Sequence, residues 1–366
     1  MACVGEKRKP VMTPLAVLCE NMHLVKKEIK EGVARKQSAE NFNIKEFWRK
    51  LELAFQGVAK EATKLSLAFS KPPRPKEMEC AHLVSGLEAA MLTVVSTFYS
   101  LPSELGGTLR KCIGDNVLDA VQSIELLASS LDDGLPVDGS KQHLQHSHQL
   151  QSTGSVWGVC DSVSLLPRDN KAAVLAKIIS VSDLVKDALA ELEEVKASKG
   201  AVCDLEVSGL SDVDNEDEET LPDHGCDDDV DGSSRQWGEE DERMVGPIIG
   251  LVKVAKSVLK KMSAAIERYC TSPPTSSEIS ELDYVLSTVD PFSERCDELV
   301  SVMYMPIDRK AVHQNAAALS EVLQKTLAVF KGVALSQDDH AWIEFLSSAV
   351  EHNLSKLRAC HLTTHT

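Results

Sequence analysis

The sequence predicts an all-α protein: two antiparallel helical bundles joined by a disordered acidic linker. Three observations carry this. Of 366 residues, 43% are hydrophobic but only 4% aromatic, and an interior of Leu, Val and Ala suits packed helices better than a β-sandwich. Apolar residues recur at three- and four-residue spacing over many turns, while no period-two segment rivals them. The chain also exceeds the roughly 250–300 residues at which one hydrophobic core stops growing.

Taken in order, Thr13 and Pro14 read as an N-cap and first helical residue. Leu15, Leu18, Met22, Val25 and Ile29 then form a narrow seam reaching Val33. Asn43 with Glu46 resembles a capping box. It opens a helix with Ile44, Phe47, Trp48, Leu51, Phe55, Val58, Ala62, Leu65 and Phe69 on one side, ended by Pro72, Pro73 and Pro75. A third helix runs from about Pro75 to Leu101, with Val84, Leu87, Met91, Val94, Val95 and Phe98 inward. A fourth, capped by Ser103, carries Leu109, Ile113, Val117, Val121, Ile124 and Ala128.

Periodicity then dissolves into Asp, Gly, Ser, Gln and His, so residues 132–154 are expected to form a flexible loop. A short helix follows around Val156, Trp157 and Cys160, and Pro167 with Asp169 starts a long one through Leu175, Ile178, Ile179, Val185, Leu189, Leu192 and Val195. Four more helices are expected near 240–270, 277–304 (interrupted at Pro291), 308–333 and 338–360. The domain reading is therefore a first bundle over 1–200, a linker over 201–238 and a second bundle over 239–366.

Charge is concentrated in that linker. The net charge is −17, and the stretch from Asp204 to Glu242 holds 17 acidic residues against Arg235 alone, which leaves the remainder at −1. Such a block repels phosphates and argues against nucleic-acid binding by this segment. The apolar charge-free run from Ala89 to Ser103 is shorter than a membrane span and breaks at Pro102. Lys7, Arg8 and Lys9 precede Pro10 rather than an apolar leader core, so secretion is not expected; the triplet is a weak nuclear-import hint. The ten cysteines contain no C-x-x-C pair and several fall on apolar helical faces, which suits a reducing compartment.

No catalytic arrangement stands out. Gly-rich phosphate loops, G-x-S-x-G and H-E-x-x-H are missing from the sequence. His143, His146 and His148 lack helical spacing and partner carboxylates, and read as a solvated loop. Asp227, Asp228, Asp229 and Asp231 lack the EF-hand order and its closing Glu. Glu20 with His23 and Glu79 with His82 fall short of a di-iron set. No enzyme activity, metal or cofactor is expected. Ser208 and Ser211 precede acidic residues in a pattern that suits an acidophilic kinase.

Two aromatic sites admit two readings. Trp157 is either an anchor tucking a short helix onto the bundle, ahead of an Asp169 cap, or part of a partner-binding cluster with Arg168, Asp169, Asn170 and Lys171. Trp237 either docks the acidic segment onto the second bundle or belongs to a recognition motif. The candidate partner-binding residues are thus Trp157, Arg168, Asp169, Asn170, Lys171 and Trp237.

Phe47-Trp-Arg-Lys-Leu51, Glu61-Ala-Thr63, Phe69-Ser70, Thr108-Leu-Arg-Lys111, Ser155-Val-Trp157, Pro167-Arg-Asp-Asn-Lys-Ala-Ala173 and Val185-Lys-Asp-Ala188 occur in this order, followed by Trp237, Glu239-Glu-Asp241 and Lys260-Lys-Met262. This series resembles the cyclin-D-binding protein family, also described as Grap-adaptor and cyclin-D interacting or maternal Id-like, over about residues 40–355. The resemblance implies two helical bundles with an acidic segment, and binding of D-type cyclins and helix-loop-helix proteins. It further implies negative regulation of cell-cycle progression and transcription, in nucleus and cytoplasm. The helix opening at Asp169 has Lys171 and Lys177 but no cationic cluster, which agrees with an Id-like mode without direct nucleic-acid contact. A cytoskeletal or adhesion-type bundle adaptor, vinculin-like in architecture, is the alternative.

Overall fold

The structure, a computed structural model, describes residues 13–31, 42–132, 142–199, 237–271, 273–333 and 337–362. Lys7–Lys9, Ser208, Ser211, the Asp227–Asp231 run and residues 201–236 of the segment read as a linker lie outside the described residues, as do the side chains of His143 and His146. No strand occurs among the described residues. The chain divides into two compact units: Met1–Ala176 with Cys270–Asp283, and Lys177–Tyr269 with Tyr284–Thr366.

The first unit is built on α1 (Pro14–Glu31), α2 (Ile44–Phe69), α3 (Glu77–Tyr99), α4 (Gly107–Asp132) and α5 (Gln142–Ser162). These pack as a closed ring: α1 on α4, α4 on α5, α5 on α2, α2 on α3 and α3 on α1. Leu18, Met22, Leu51, Phe55, Leu65, Leu87, Met91, Ile113 and Ile124 fill its centre, each such side chain contributing about 1.5–3 kcal/mol by leaving water. Asn43 accepts the Glu46 amide at 3.1 Å as expected of an N-cap, but the Glu46 carboxylate turns outward to Arg49 instead of closing a capping box. The sequence predicts no membrane span, yet by length and composition alone α3 is long and apolar enough to cross a membrane; it buries Val84, Leu87, Met91 and Val94 in the bundle.

Two features differ from the sequence reading. The expected loop at 132–154 is helical from Gln142 onward. Its inward positions include polar residues, Gln149 and Thr153, ahead of Val156 and Cys160, so no apolar stripe announces the helix. Both polar groups are satisfied across the bundle: Gln149 donates to the Ser66 carbonyl at 2.7 Å, and the Thr153 and Ser66 hydroxyls lie 2.7 Å apart. The fourth helix, in turn, is not capped by Ser103, which falls in a 3-10 turn, Ser103–Leu105. Its cap comes from α8 (Ser276–Val289): the Asp283 carboxylate accepts the Gly107 amide at 2.7 Å, the Thr108 amide at 3.3 Å and the Thr108 hydroxyl at 2.6 Å. An anion there also meets the positive end of the α4 dipole.

The start of α8 has its own box. Glu278 accepts the Thr275 amide at 2.7 Å and the Thr271 amide at 2.8 Å, while Thr275 accepts the Glu278 amide at 3.3 Å. Those backbone donors hold the Glu278 carboxyl down to about 2. Since its folded pKa is depressed, its stabilisation is complete above the ordinary Glu range of about 4.3 and disappears as pH falls toward 2. We expect an NMR titration midpoint for Glu278 near 2; a normal midpoint would show that the box does not form in solution.

The second unit comprises α6 (Asn170–Ala197) from Lys177 onward, α7 (Glu239–Tyr269), the end of α8, α9 (Phe292–Ser301), α10 (Arg309–Val333) and α11 (Gln337–Leu362). Helix α7 packs on α11 and α10, and α10 packs on α9 and α11. Ile248, Val252, Leu259, Phe292, Leu319, Leu323, Val350 and Leu357 form its interior. Gly250 lets α11 approach closely, since a Cβ there would stand 2.1 Å from Asn353 Oδ1. The break expected at Pro291 separates α8 from α9.

Lys199 and Trp237, which flank the acidic segment, are joined by a hydrogen bond from the Trp237 amide to the Lys199 carbonyl at 2.8 Å. Both belong to the second unit. The segment is also poor in apolar residues and has little to bury. Deleting residues 205–235 is therefore expected to leave helix content and melting unchanged by circular dichroism, whereas loss of cooperative unfolding would assign the segment a structural role.

Candidate partner-binding surface

The Pro167–Ala173 run is occupied with internal contacts. Arg168 lies over the Trp48 ring at 4.5 Å, pairs with Glu52 at 2.8 Å, and offers its carbonyl to the Trp48 indole N–H at 3.3 Å. Asp169 caps α6 by accepting the Ala172 amide at 2.8 Å. Asn170, 1% exposed, accepts the Leu109 amide and donates to Asp283, each at 2.9 Å. Lys171 donates to the Cys270 carbonyl at 2.6 Å, one residue beyond the end of α7. The structure thus brings these four residues together as a junction between α2, α4, α6, the Cys270 carbonyl and Asp283 midway along α8. Of the residues that complete it, Trp48 reads from sequence as part of the α2 stripe and Thr108 as part of a family motif, whereas Asp283, far along the chain, is not singled out.

Trp237 is 6% exposed, and its indole N–H donates to the Met303 carbonyl at 3.1 Å. Beside it Asp241 accepts Arg309 at 2.9 Å, and Arg309 also pairs with Glu240. Of the two sequence readings, the geometry matches docking onto the second unit, and a buried indole has no face left for a partner.

Trp157 stands apart. It is 44% exposed, so it is not the buried anchor one reading expected. Its indole N–H donates at 2.9 Å to the Thr63 hydroxyl, which in turn donates to the Ala59 carbonyl at 2.7 Å. Leu150, two turns earlier on the same face of α5, is 58% exposed, and Leu67, one turn beyond Thr63 on α2, is 66% exposed. Together they place an apolar group along the α2–α5 seam. Gly154 lies between Leu150 and Trp157, and a Cβ there would meet nothing within 4 Å. Clustered exposed apolar side chains of this kind mark interaction surfaces more often than isolated ones do.

Four of the described cysteines are held in the thiol form by burial. Burial pushes the Cys160 and Cys296 thiols up to about 12, and burial also raises Cys80 and Cys270. Among the described residues no group of three or more His, Cys, Asp or Glu is placed to hold a metal ion.

Comparison with known proteins gives two family matches. Residues 50–198 match the N-terminal model, and residues 213–328 the C-terminal model, of the Grap2 and cyclin-D-interacting family. The chain is 35% identical over 352 residues to the cyclin-D1-binding protein 1 homolog of Xenopus laevis, covering 95% of this chain and 98% of that one. It is 34% identical to the Danio rerio homolog over 357 residues, covering 96% of each. Identity to the Homo sapiens cyclin-D1-binding protein 1 is 31% over 346 residues, covering 93% of this chain and 91% of that one.

Proposed function

The chain belongs to the Grap2 and cyclin-D-interacting family, and from that membership we propose that it is a non-enzymatic regulatory protein that binds a D-type cyclin. The observation that carries this is the near full-length match to relatives named for cyclin D1 binding. By the same reading it binds helix-loop-helix proteins in an Id-like manner, restrains cell-cycle progression and transcription, and works in nucleus and cytoplasm. Of the six candidate residues, Trp157 is the one whose side chain combines an apolar surface with exposure to a partner.

Capture of purified D-type cyclin by the purified chain tests the proposal. Binding of actin-linked partners alone would overturn it in favour of an adhesion-type adaptor. The Id-like part rests on sequestering partners without touching DNA, which requires that the chain itself ignore duplex. Outside the Asp204–Glu242 stretch its charge is only −1, and proteins that neutralise several phosphates need clustered cations. No saturable binding is expected in a titration against labelled duplex at about 50 mM salt, a condition that exaggerates electrostatic attraction. Salt-sensitive micromolar binding would refute sequestration.

A further inference from the structure

We propose that the α2–α5 seam of the first unit docks an amphipathic helix whose apolar stripe is flanked by acidic side chains. The inference deepens the cyclin-binding reading, and rests on it only for the identity of the partner that supplies the helix.

The seam has the composition such a helix requires. The outward line of α2 runs Leu53, Gln56, Lys60, Lys64 and Leu67, with Lys71 just beyond the helix, and every one of these residues is exposed. Their spacing of three and four places them along one face. That line carries three cations and no acid, in a chain whose net charge is −17. Of the acids of α2, Glu46 pairs with Arg49 and Glu52 with Arg168, away from the line; Glu61 pairs with Lys64 at 2.6 Å, so Lys60 and Lys71 are the cations of the line not engaged by an α2 acid. Facing it, α5 bears no Asp, Glu, Lys or Arg from His148 to Cys160; Asp161 closes the line one turn after Trp157. The surface is therefore apolar along the seam, cationic on its α2 side and neutral on its α5 side.

It is also rigid before a partner arrives. Beneath it, the Ser66, Gln149 and Thr153 hydrogen bonds join the two helices, and Thr63 fixes the Trp157 indole. A pre-positioned Trp beside open space at Gly154 costs little side-chain entropy on binding. Helix-in-groove recognition uses such anchors at i, i+3, i+4 and i+7.

The probe is a fluorescent helical peptide with Leu at i, i+4 and i+7 and Glu at the flanking positions. A second peptide carries Lys in place of each Glu. Fluorescence anisotropy with the full chain is expected to show the Glu peptide binding and the Lys peptide failing. Trp157→Ala, Leu150→Asp and Lys60→Glu should each weaken the Glu peptide about tenfold or more, as expected for contacts at an interface centre. All three sites are exposed, and unchanged circular dichroism confirms that the variants fold. The Glu peptide should also displace a bound D-type cyclin.

Several results would overturn the seam. They are no saturable binding of the Glu peptide up to about 100 µM, equal binding of both peptides, or indifference to all three substitutions. Concentration-dependent dimerisation abolished by Trp157→Ala would assign the seam to a second copy. Markedly tighter peptide binding after deletion of residues 205–235 would assign it to the chain's own acidic segment. Cyclin capture separates the two readings. If the chain captures cyclin and the three variants capture it equally well, the seam is wrong and cyclin binding stands. If the Glu peptide binds as described but cyclin is not captured, the seam stands and cyclin binding falls.

Discussion

Gly106→Ala is expected to lower the stability of the first unit by about 3–5 kcal/mol, combining backbone strain with lost buried hydrogen bonds. Gly106 sits at φ 117°, a conformation L side chains rarely adopt. A Cβ at that position would stand 2.1 Å from Asn170 Oδ1 and Cγ, and 2.6 Å from its Cβ. Asn170 cannot retreat without cost. It is buried, and moving it breaks its bonds to the Leu109 amide and to Asp283, the carboxylate that caps α4. One methyl group therefore strains the turn into α4 and dismantles its cap. Asp283→Ala, which removes the cap and leaves the turn intact, should cost less, about 1.5–3 kcal/mol for hydrogen bonds to a charged group. Hydrogen exchange of the first turns of α4 during urea titration measures both. Equal protection in Gly106→Ala and wild type would show that Asn170 has room to move.

The junction also shows where sequence reasoning stops. Helix α2 was legible almost residue by residue. Of its predicted stripe, Phe47, Trp48, Leu51, Phe55, Val58, Ala62 and Leu65 are buried, while Ile44 and Phe69 at the two ends are half-buried against the core, because burial of apolar side chains follows the helical period. Helix α5 was only half legible. Its core face is Gln149, Thr153, Val156 and Cys160, and the partner that makes the first two tolerable inside, Ser66, lies on another helix. Nothing local signals such a pairing.

The candidate residues divide by the same logic. Arg168, Asn170 and Lys171 look like a surface charge cluster until Trp48, Leu109, Asp283 and Cys270 are brought to them by the fold. Trp157 and Trp237 carry the same side chain in comparably polar surroundings, yet one is exposed and the other buried. That difference depends on which element arrives opposite each indole. For Trp157 it is a threonine hydroxyl at the edge of a seam, and for Trp237 the buried backbone that follows α9.

A comparison among these sites follows, with the largest effect at Trp237. Trp237→Ala should destabilise the second unit by about 3–5 kcal/mol, the range for emptying a buried aromatic site, and it also leaves the Met303 carbonyl without its indole donor. The loss falls where Lys199, the start of α7 and the Arg309 pair with Asp241 converge, so the return of the chain into α7 loosens with it. Trp157→Ala, at a side chain 44% exposed, should cost only about 1 kcal/mol in the first unit, nearer the range of surface substitutions. Deleting residues 205–235 retains Trp237 and should cost almost nothing. Thermal melts of the three variants decide the matter. If Trp237→Ala melts with the deletion variant, the return into α7 is held by the helix packing around it; if it melts far below both others, the indole anchors it.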